Sequence, residues 1–195
     1  MRLVLASRNR HKAREFAEIL GVGEVLSLPD GVELPPETAE TFAGNALIKA
    51  RAAHRATGMA VIADDSGLVV DGLGGAPGVR SARFAGENAT DAENLELLIE
   101  SLASIDDPDR SARYVCALAW IEEDGRERVF EEVCEGEIVG EPRGSGGFGY
   151  DPVFVPRDTG DDDRRTMAEL SPDQKNSISH RGRAAKALAE RLASR

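Results

Sequence analysis

Long apolar runs, paired cysteines and an excess of basic residues are all missing from this 195-residue chain. No stretch of about 18 uncharged apolar residues occurs, which leaves no transmembrane helix to form. The opening run Met1–Ala6 is too short for a secretory signal and meets Arg8 almost at once. Cys116 and Cys134 are the only cysteines, and without CxxC spacing they indicate neither a disulfide framework nor a zinc site. The expectation is a reduced, cytoplasmic protein with both thiols buried. Lys and Arg total 24 against 35 Asp and Glu, a formal net charge of −11. So acidic a chain lacks the broad basic face that grips a phosphate backbone, so neither nucleic acid nor a membrane is expected as a partner. One local cationic pocket, or a bound metal ion, is still enough for a small phosphorylated ligand.

What is present is ordinary globular material, 41% hydrophobic and 30% charged residues. That suffices for one compact domain, or two closely joined lobes, over 1–195 with no separable linker. The pattern predicts strands over Arg2–Ala6 and Glu24–Leu28, and a helix over Arg10–Leu20 that Gly21 closes. The Pro-rich loop Pro29–Glu37 leads to a helix over Thr41–Thr57. Its Phe42, Ala46, Ala50 and Ala53 give one apolar face, and Gly58 ends it. Val61–Ala63 and Leu68–Val70 read as two strand pieces interrupted by Asp64-Asp65-Ser66-Gly67. Thr90 and Glu93 make a capping box that opens a helix to Leu102. Arg113–Glu122 and Arg126–Val139 are β-like runs joined as a hairpin at Glu123-Asp124-Gly125. Val153–Val155 returns to strand and Arg157–Arg165 to a charged loop. Ser171-Pro172 starts one helix, and an amphipathic helix follows over His180–Ala193. Strands interspersed with helices, one pair antiparallel, predict an α/β fold with a mixed central sheet and flanking helices.

Four segments carry chemistry. Ser7-Arg8-Asn9-Arg10-His11-Lys12 lies where the first strand gives way to the first helix. Helix-start N–H groups and cationic side chains suit a phosphate, and cations in a first turn oppose the macrodipole unless an anion compensates. P-loop glycines are absent, and a solvated helix start would use the same residues. Asp64 and Asp65, ahead of a Ser66-Gly67 turn, suit a hard cation such as Mg²⁺ that takes oxygen ligands. A turn capped by Asp is the alternative, and Glu37 offers a further carboxylate. The run Gly144–Pro152 sets Phe148 and Tyr150 among glycines, which lets backbone approach a ligand and offers a ring to a base. A tight turn whose aromatics fold back into the core is the alternative. In Lys175–Arg183, Ser179 as N-cap would place His180 and Arg181 in the first turn of the last helix. Arg only donates, so it can read a carbonyl oxygen and not an amino group, although a solvated basic turn would look the same. His54, in mid-helix, reads as structural.

Five segments, SRNRHKAREF at 7–16, ETAETFAGNALIKA at 37–50, ADDSGLVVDGLGGAPGVRSARFAG at 63–86, GSGGFGYDPVF at 144–154 and KNSISHRGRA at 175–184, follow one another from near the start of the chain to near its end. Together they resemble the inosine triphosphate pyrophosphatase family, which hydrolyses non-standard purine nucleoside triphosphates. The resemblance implies a two-lobed homodimer with the nucleotide in the cleft between lobes. It assigns Ser7, Arg8, Asn9, Arg10, His11 and Lys12 to the triphosphate, with Lys49 also reaching the phosphates. Glu37 and Asp65 would hold Mg²⁺, with Asp64 close by and Asp65 as proton acceptor. Ser66 would contact substrate. Phe148 would stack on the base in a pocket shaped by Gly149, Tyr150 and Asp151, and Lys175, His180 and Arg181 would close around it. Ser7-Arg8 replaces the usual Thr-Gly, and Gly44 stands where Glu is frequent. Arg8 adds bulk and charge beside the phosphates, while Gly44 removes any metal or water role there and weakens its helix.

The expected reaction is attack of a polarised water on the α-phosphorus, releasing pyrophosphate and a nucleoside monophosphate. Asp65, or Asp64 beside it, would take the proton of that water, and Lys12 and Lys49 would stabilise the departing pyrophosphate. A 6-keto purine accepts from Arg181 and backbone N–H groups, whereas adenine turns a donor toward donors. A nucleotide sensor without turnover would need no carboxylate-held Mg²⁺. A housecleaning pyrophosphatase for modified pyrimidines would share the Phe148 platform, but the Ser-His-Arg end favours a purine.

Overall fold

The computed structural model describes residues 2–7, 16–17, 19–20, 24–160 and 162–194. Among the described residues six strands make one sheet: β1 (Arg2–Leu5), β2 (Glu24–Ser27), β3 (Val61–Val70), β4 (Ser111–Ile121), β5 (Glu127–Ile138) and β6 (Phe154–Pro156). Their order is β2-β1-β3-β4-β5-β6. β1 runs parallel to both β2 and β3, whereas β5 and β6 are antiparallel, so the sheet is mixed as expected. The fully described α-helices are α1 (Phe42–Thr57), α2 (Asp91–Ala103), α3 (Pro172–Ile178) and α4 (His180–Ala193). Two compact units divide the chain, and the division falls inside β3, β4 and β5.

The first unit comprises Met1–Asp65, Cys116–Glu132 and Arg181–Arg195. Its core gathers Leu3, Leu5, Phe16, Leu20, Ile62, Leu118, Trp120 and Leu188. Truncating one such leucine to alanine costs about 2–5 kcal/mol, the lost transfer energy plus the cavity left behind. Helix α1 starts because Thr41 accepts the Gly44 N–H at 3.1 Å. It buries Phe42, Asn45, Ala46, Ala50 and Ala53 along one stripe. Gly58, at φ 65°, ends it and donates to His54 O at 2.8 Å. His54 itself bonds through Nδ1 to Met59 O at 2.7 Å, the structural role expected of it. Between β4 and β5, Gly125 N–H donates to Glu122 O at 3.0 Å and Glu122 N–H to Arg126 O at 2.9 Å. The helix expected over 10–20 lies mostly outside the described residues, although 16, 17, 19 and 20 are helical.

The second unit comprises Ser66–Val115 and Val133–His180. Leu68, Val70, Leu98, Leu102, Tyr114, Ile138, Tyr150, Phe154 and Met167 belong to its core. The capping box at α2 is formed on both sides, Thr90 accepting Glu93 N–H at 3.2 Å and Glu93 accepting Thr90 N–H at 2.7 Å. Ser171 and Gln174 make a second capping box at α3, with Pro172 just inside it. Ser179 closes α3 by donating its N–H to Lys175 O at 2.8 Å, and α4 follows directly at His180.

The two strand pieces predicted around Asp64–Gly67 are one continuous strand, β3. The expected interruption at Asp64-Asp65-Ser66-Gly67, with its Ser-Gly turn, is absent: each aspartate has a cationic partner and can therefore be carried within a buried strand. Both cysteines are buried free thiols, as expected.

Candidate active site

In the first unit, the segment before α1 and strand β3 each bring one carboxylate to an ammonium on α1. Lys49 Nζ, from α1, donates to Glu37 Oε1 at 2.5 Å and lies 3.3 Å from Asp65 Oδ1 on β3. Successive strand residues point to opposite faces, which gives the adjacent aspartates different principal partners. Asp65 meets Lys49, while Asp64 Oδ2 lies 3.5 Å from Arg181 Nε of α4. Burial penalises the Lys49 ammonium, but the charges of Asp65, Glu37 and Asp64, with the bond to Glu37, leave its pKa above the ordinary value. Burial, reinforced by the Glu37 charge, raises the Asp65 carboxyl, with Lys49 and the Asn45 amide pulling the other way.

Asn45 was not anticipated from sequence. Fully buried on α1, it accepts the Ala39 N–H through Oδ1 at 2.9 Å and so ties down the chain that carries Glu37. Its Nδ2 makes no full hydrogen bond among the described residues, yet it lies close enough to favour the charged form of Asp65. The available signal was a polar residue three positions after Phe42 and next to Ala46, inside the apolar stripe of a helix.

Among the described residues, no group of three or more His, Cys, Asp and Glu is arranged to hold a metal. The pair Glu37 and Asp65 nevertheless fits Mg²⁺, which is commonly bound by one or two carboxylates plus water and substrate phosphates. Both already converge on one cation, the Lys49 ammonium. Of the phosphate-binding candidates, Ser7 lies two residues past the end of β1, its N–H bonded to Leu5 O at 2.8 Å. Arg8, Asn9, Arg10, His11 and Lys12 lie outside the described residues. Ser66 is a half-buried residue of β3 next to Asp65.

The second unit holds the candidates for the base. The Gly-rich run divides its two aromatics: Phe148 is 55% exposed, whereas Tyr150 is buried and donates its hydroxyl to Ser81 O at 2.7 Å. Only Tyr150 follows the fold-back alternative. Asp151 is buried, and its Oδ2 accepts Lys175 Nζ at 2.6 Å and Phe148 N–H at 2.8 Å. The run passes so close to this carboxylate that a Cβ on Gly147 would overlap Asp151 Oδ2. Lys175 Nζ also lies 4.5 Å from the Phe148 ring centroid, a cation–π distance. Gly149, at φ 59°, donates its N–H to Asp91 Oδ2 at 2.9 Å. His180, mostly buried, stacks on Tyr114 of β4. Asp91 and Tyr114 were also not anticipated: the first reads as a helix-start acid and the second as a core aromatic.

Residues 3–191 match the Ham1 family. A dITP/XTP pyrophosphatase of Geobacillus kaustophilus is 48% identical, covering 96% of this chain and 92% of its own. One from Mycobacterium bovis is 52% identical over 94% of this chain and 91% of its own. Among solved structures, a HAM1 protein from Coxiella burnetii superimposes with a TM-score of 0.92 at 44% identity, each chain fully covered.

Proposed function

This chain belongs to the Ham1 family, and from that premise we propose that it hydrolyses ITP, dITP and XTP to the nucleoside monophosphate and pyrophosphate. Relatives named dITP/XTP pyrophosphatase, at 46–52% identity over nearly the full length, support the substrate class. The observation that most favours turnover over mere binding is Lys49 bound to both Glu37 and Asp65. A sensor needs no such arrangement.

In this reading Glu37 and Asp65 hold Mg²⁺. When bound, the ion lowers the pKa of its water and offsets phosphate charge. Asp65 accepts the proton of the attacking water as the new bond to the α-phosphorus forms. The bond from the α-phosphorus to its bridging oxygen breaks, and the electron pair leaves with pyrophosphate. Lys49 and Lys12 stabilise that leaving group, and Ser7 to His11 hold the triphosphate. Asp64, paired to Arg181, orients that guanidinium. Phe148 offers the face for the purine, Gly149, Tyr150 and Asp151 shape its surroundings, Lys175 and His180 close around it, and Arg181 with backbone N–H groups donates to a 6-keto oxygen. Ser66 contacts substrate. The protein acts as a single-domain chain, a cytoplasmic homodimer without nucleic-acid or membrane partners. No helix among the described residues is long and apolar enough to cross a membrane.

The test is incubation with Mg²⁺ and, separately, ITP, XTP, GTP and ATP, followed by chromatography. Monophosphate and pyrophosphate from the first two, with little from the others, is the expected result. Diphosphate and orthophosphate would move attack to the γ-phosphorus and overturn the mechanism.

A further inference from the structure

We propose that Tyr114 is a positioning residue that fixes both Asp151 and His180 for purine recognition, an inference resting on the base-binding role given to those two residues above. Tyr114 lies on β4 in the core of the second unit. A core strand position calls for an apolar ring, and a buried phenol hydroxyl requires a partner. Here the hydroxyl donates to Asp151 Oδ1 at 3.3 Å. Three donors thereby converge on the Asp151 carboxylate, since its other oxygen serves Lys175 and the Phe148 N–H. Although 3.3 Å is long for this type of bond, buried surroundings strengthen it. Burial first, and then the Asp151 charge, hold the Tyr114 hydroxyl far above the ordinary phenol range, so it remains a donor.

The ring of the same residue does a second job. It stacks on the His180 imidazole with centroids 4.9 Å apart and planes 11° from parallel. Phe154 packs against the ring as well, with centroids 4.7 Å apart at 56°. Held by Phe154, the Tyr114 ring sets the plane of the imidazole, and its hydroxyl sets the carboxylate. One strand side chain thus couples the Gly-rich run to the first residue of α4, two segments that the chain supplies separately.

Tyr114→Phe removes the hydroxyl and keeps the stack, while Tyr114→Leu removes both. Two readouts are made: kcat and KM for ITP and ATP with Mg²⁺, and equilibrium binding of inosine monophosphate without metal. The second reads binding apart from metal, turnover and the pyrophosphate group. The expected result for Tyr114→Phe is a rise of about five- to tenfold in both the ITP KM and the inosine monophosphate Kd, larger than any fall in kcat. Tyr114→Leu is expected to reduce the ITP-over-ATP preference as well. A lowered Tm with unchanged KM, Kd and selectivity in Tyr114→Phe would make Tyr114 structural and overturn the proposal while the hydrolytic function stood. If the wild type bound inosine monophosphate without cleaving ITP, the function would fail and the Kd of Tyr114→Phe would still decide Tyr114. A wild type that neither bound nor cleaved would overturn both.

Discussion

Lysine is scarce here: of the 24 basic residues, only Lys12, Lys49, Lys175 and Lys186 are lysines. Lys49 is inserted between two carboxylates and Lys175 between a carboxylate and a ring face. These are places for a compact point charge, where the wider guanidinium fork fits poorly. Beside Lys49, Asp65 is kept at some cost, its pKa raised by burial despite the ammonium. A raised folded value ties stability to the protonated form, present below the unfolded pKa and lost as pH rises through the folded one. Asp65→Asn should therefore gain in Tm relative to wild type as pH is raised from about 3 to 7 in a chelator, while abolishing Mg²⁺-dependent turnover. A Tm difference that is flat with pH would refute the first half, and near-native rates would refute the second. Arg181→Ala should flatten the preference for ITP over ATP. It should also cost about 3 kcal/mol, because the Asp64 carboxylate stays buried without that partner. An unchanged preference at lowered stability would assign the guanidinium to Asp64 alone.

At the level of elements, helix ends were legible and site geometry was not. Thr41, Gly58, Thr90 and Ser171 stop or start helices through local hydrogen bonds that short sequence windows contain. Asp64 and Asp65 misled because their partners, Arg181 and Lys49, are distant in sequence, and only those partners permit a strand there. Motifs singled out Phe148 and Lys175, but the hydrogen bonds that hold the Phe148 segment come from Asp151 and from Asp91 on α2. Asp91 has an obvious local reason to exist as a first-turn acid, which hid its bond to Gly149. Asp91→Ala should raise the KM for ITP severalfold, and Asp91→Asn, which keeps an acceptor oxygen, should restore it. Were the two variants equal in KM, the Gly149 contact would have no part in binding.

Over the whole molecule, the net charge of −11 opposes the ligand it is proposed to accept. The local cations act inside the site, whereas the net charge acts during approach. At about 10 mM ionic strength the Debye length is about 30 Å, so an incoming Mg²⁺–triphosphate, itself anionic, meets the repulsion of the entire chain. At about 150 mM it shrinks to about 8 Å, and the nearest charges, Lys49 among them, dominate what the ligand meets. kcat/KM for ITP at fixed free Mg²⁺ should therefore rise about twofold or more across that range. The opposite trend would mean that the cations around the site extend a positive field beyond the acidic surface. The same acidity explains why triphosphate chemistry here need not bring nucleic-acid binding with it. A duplex must be neutralised along many phosphates by a broad basic face, whereas a triphosphate can be held within a few residues.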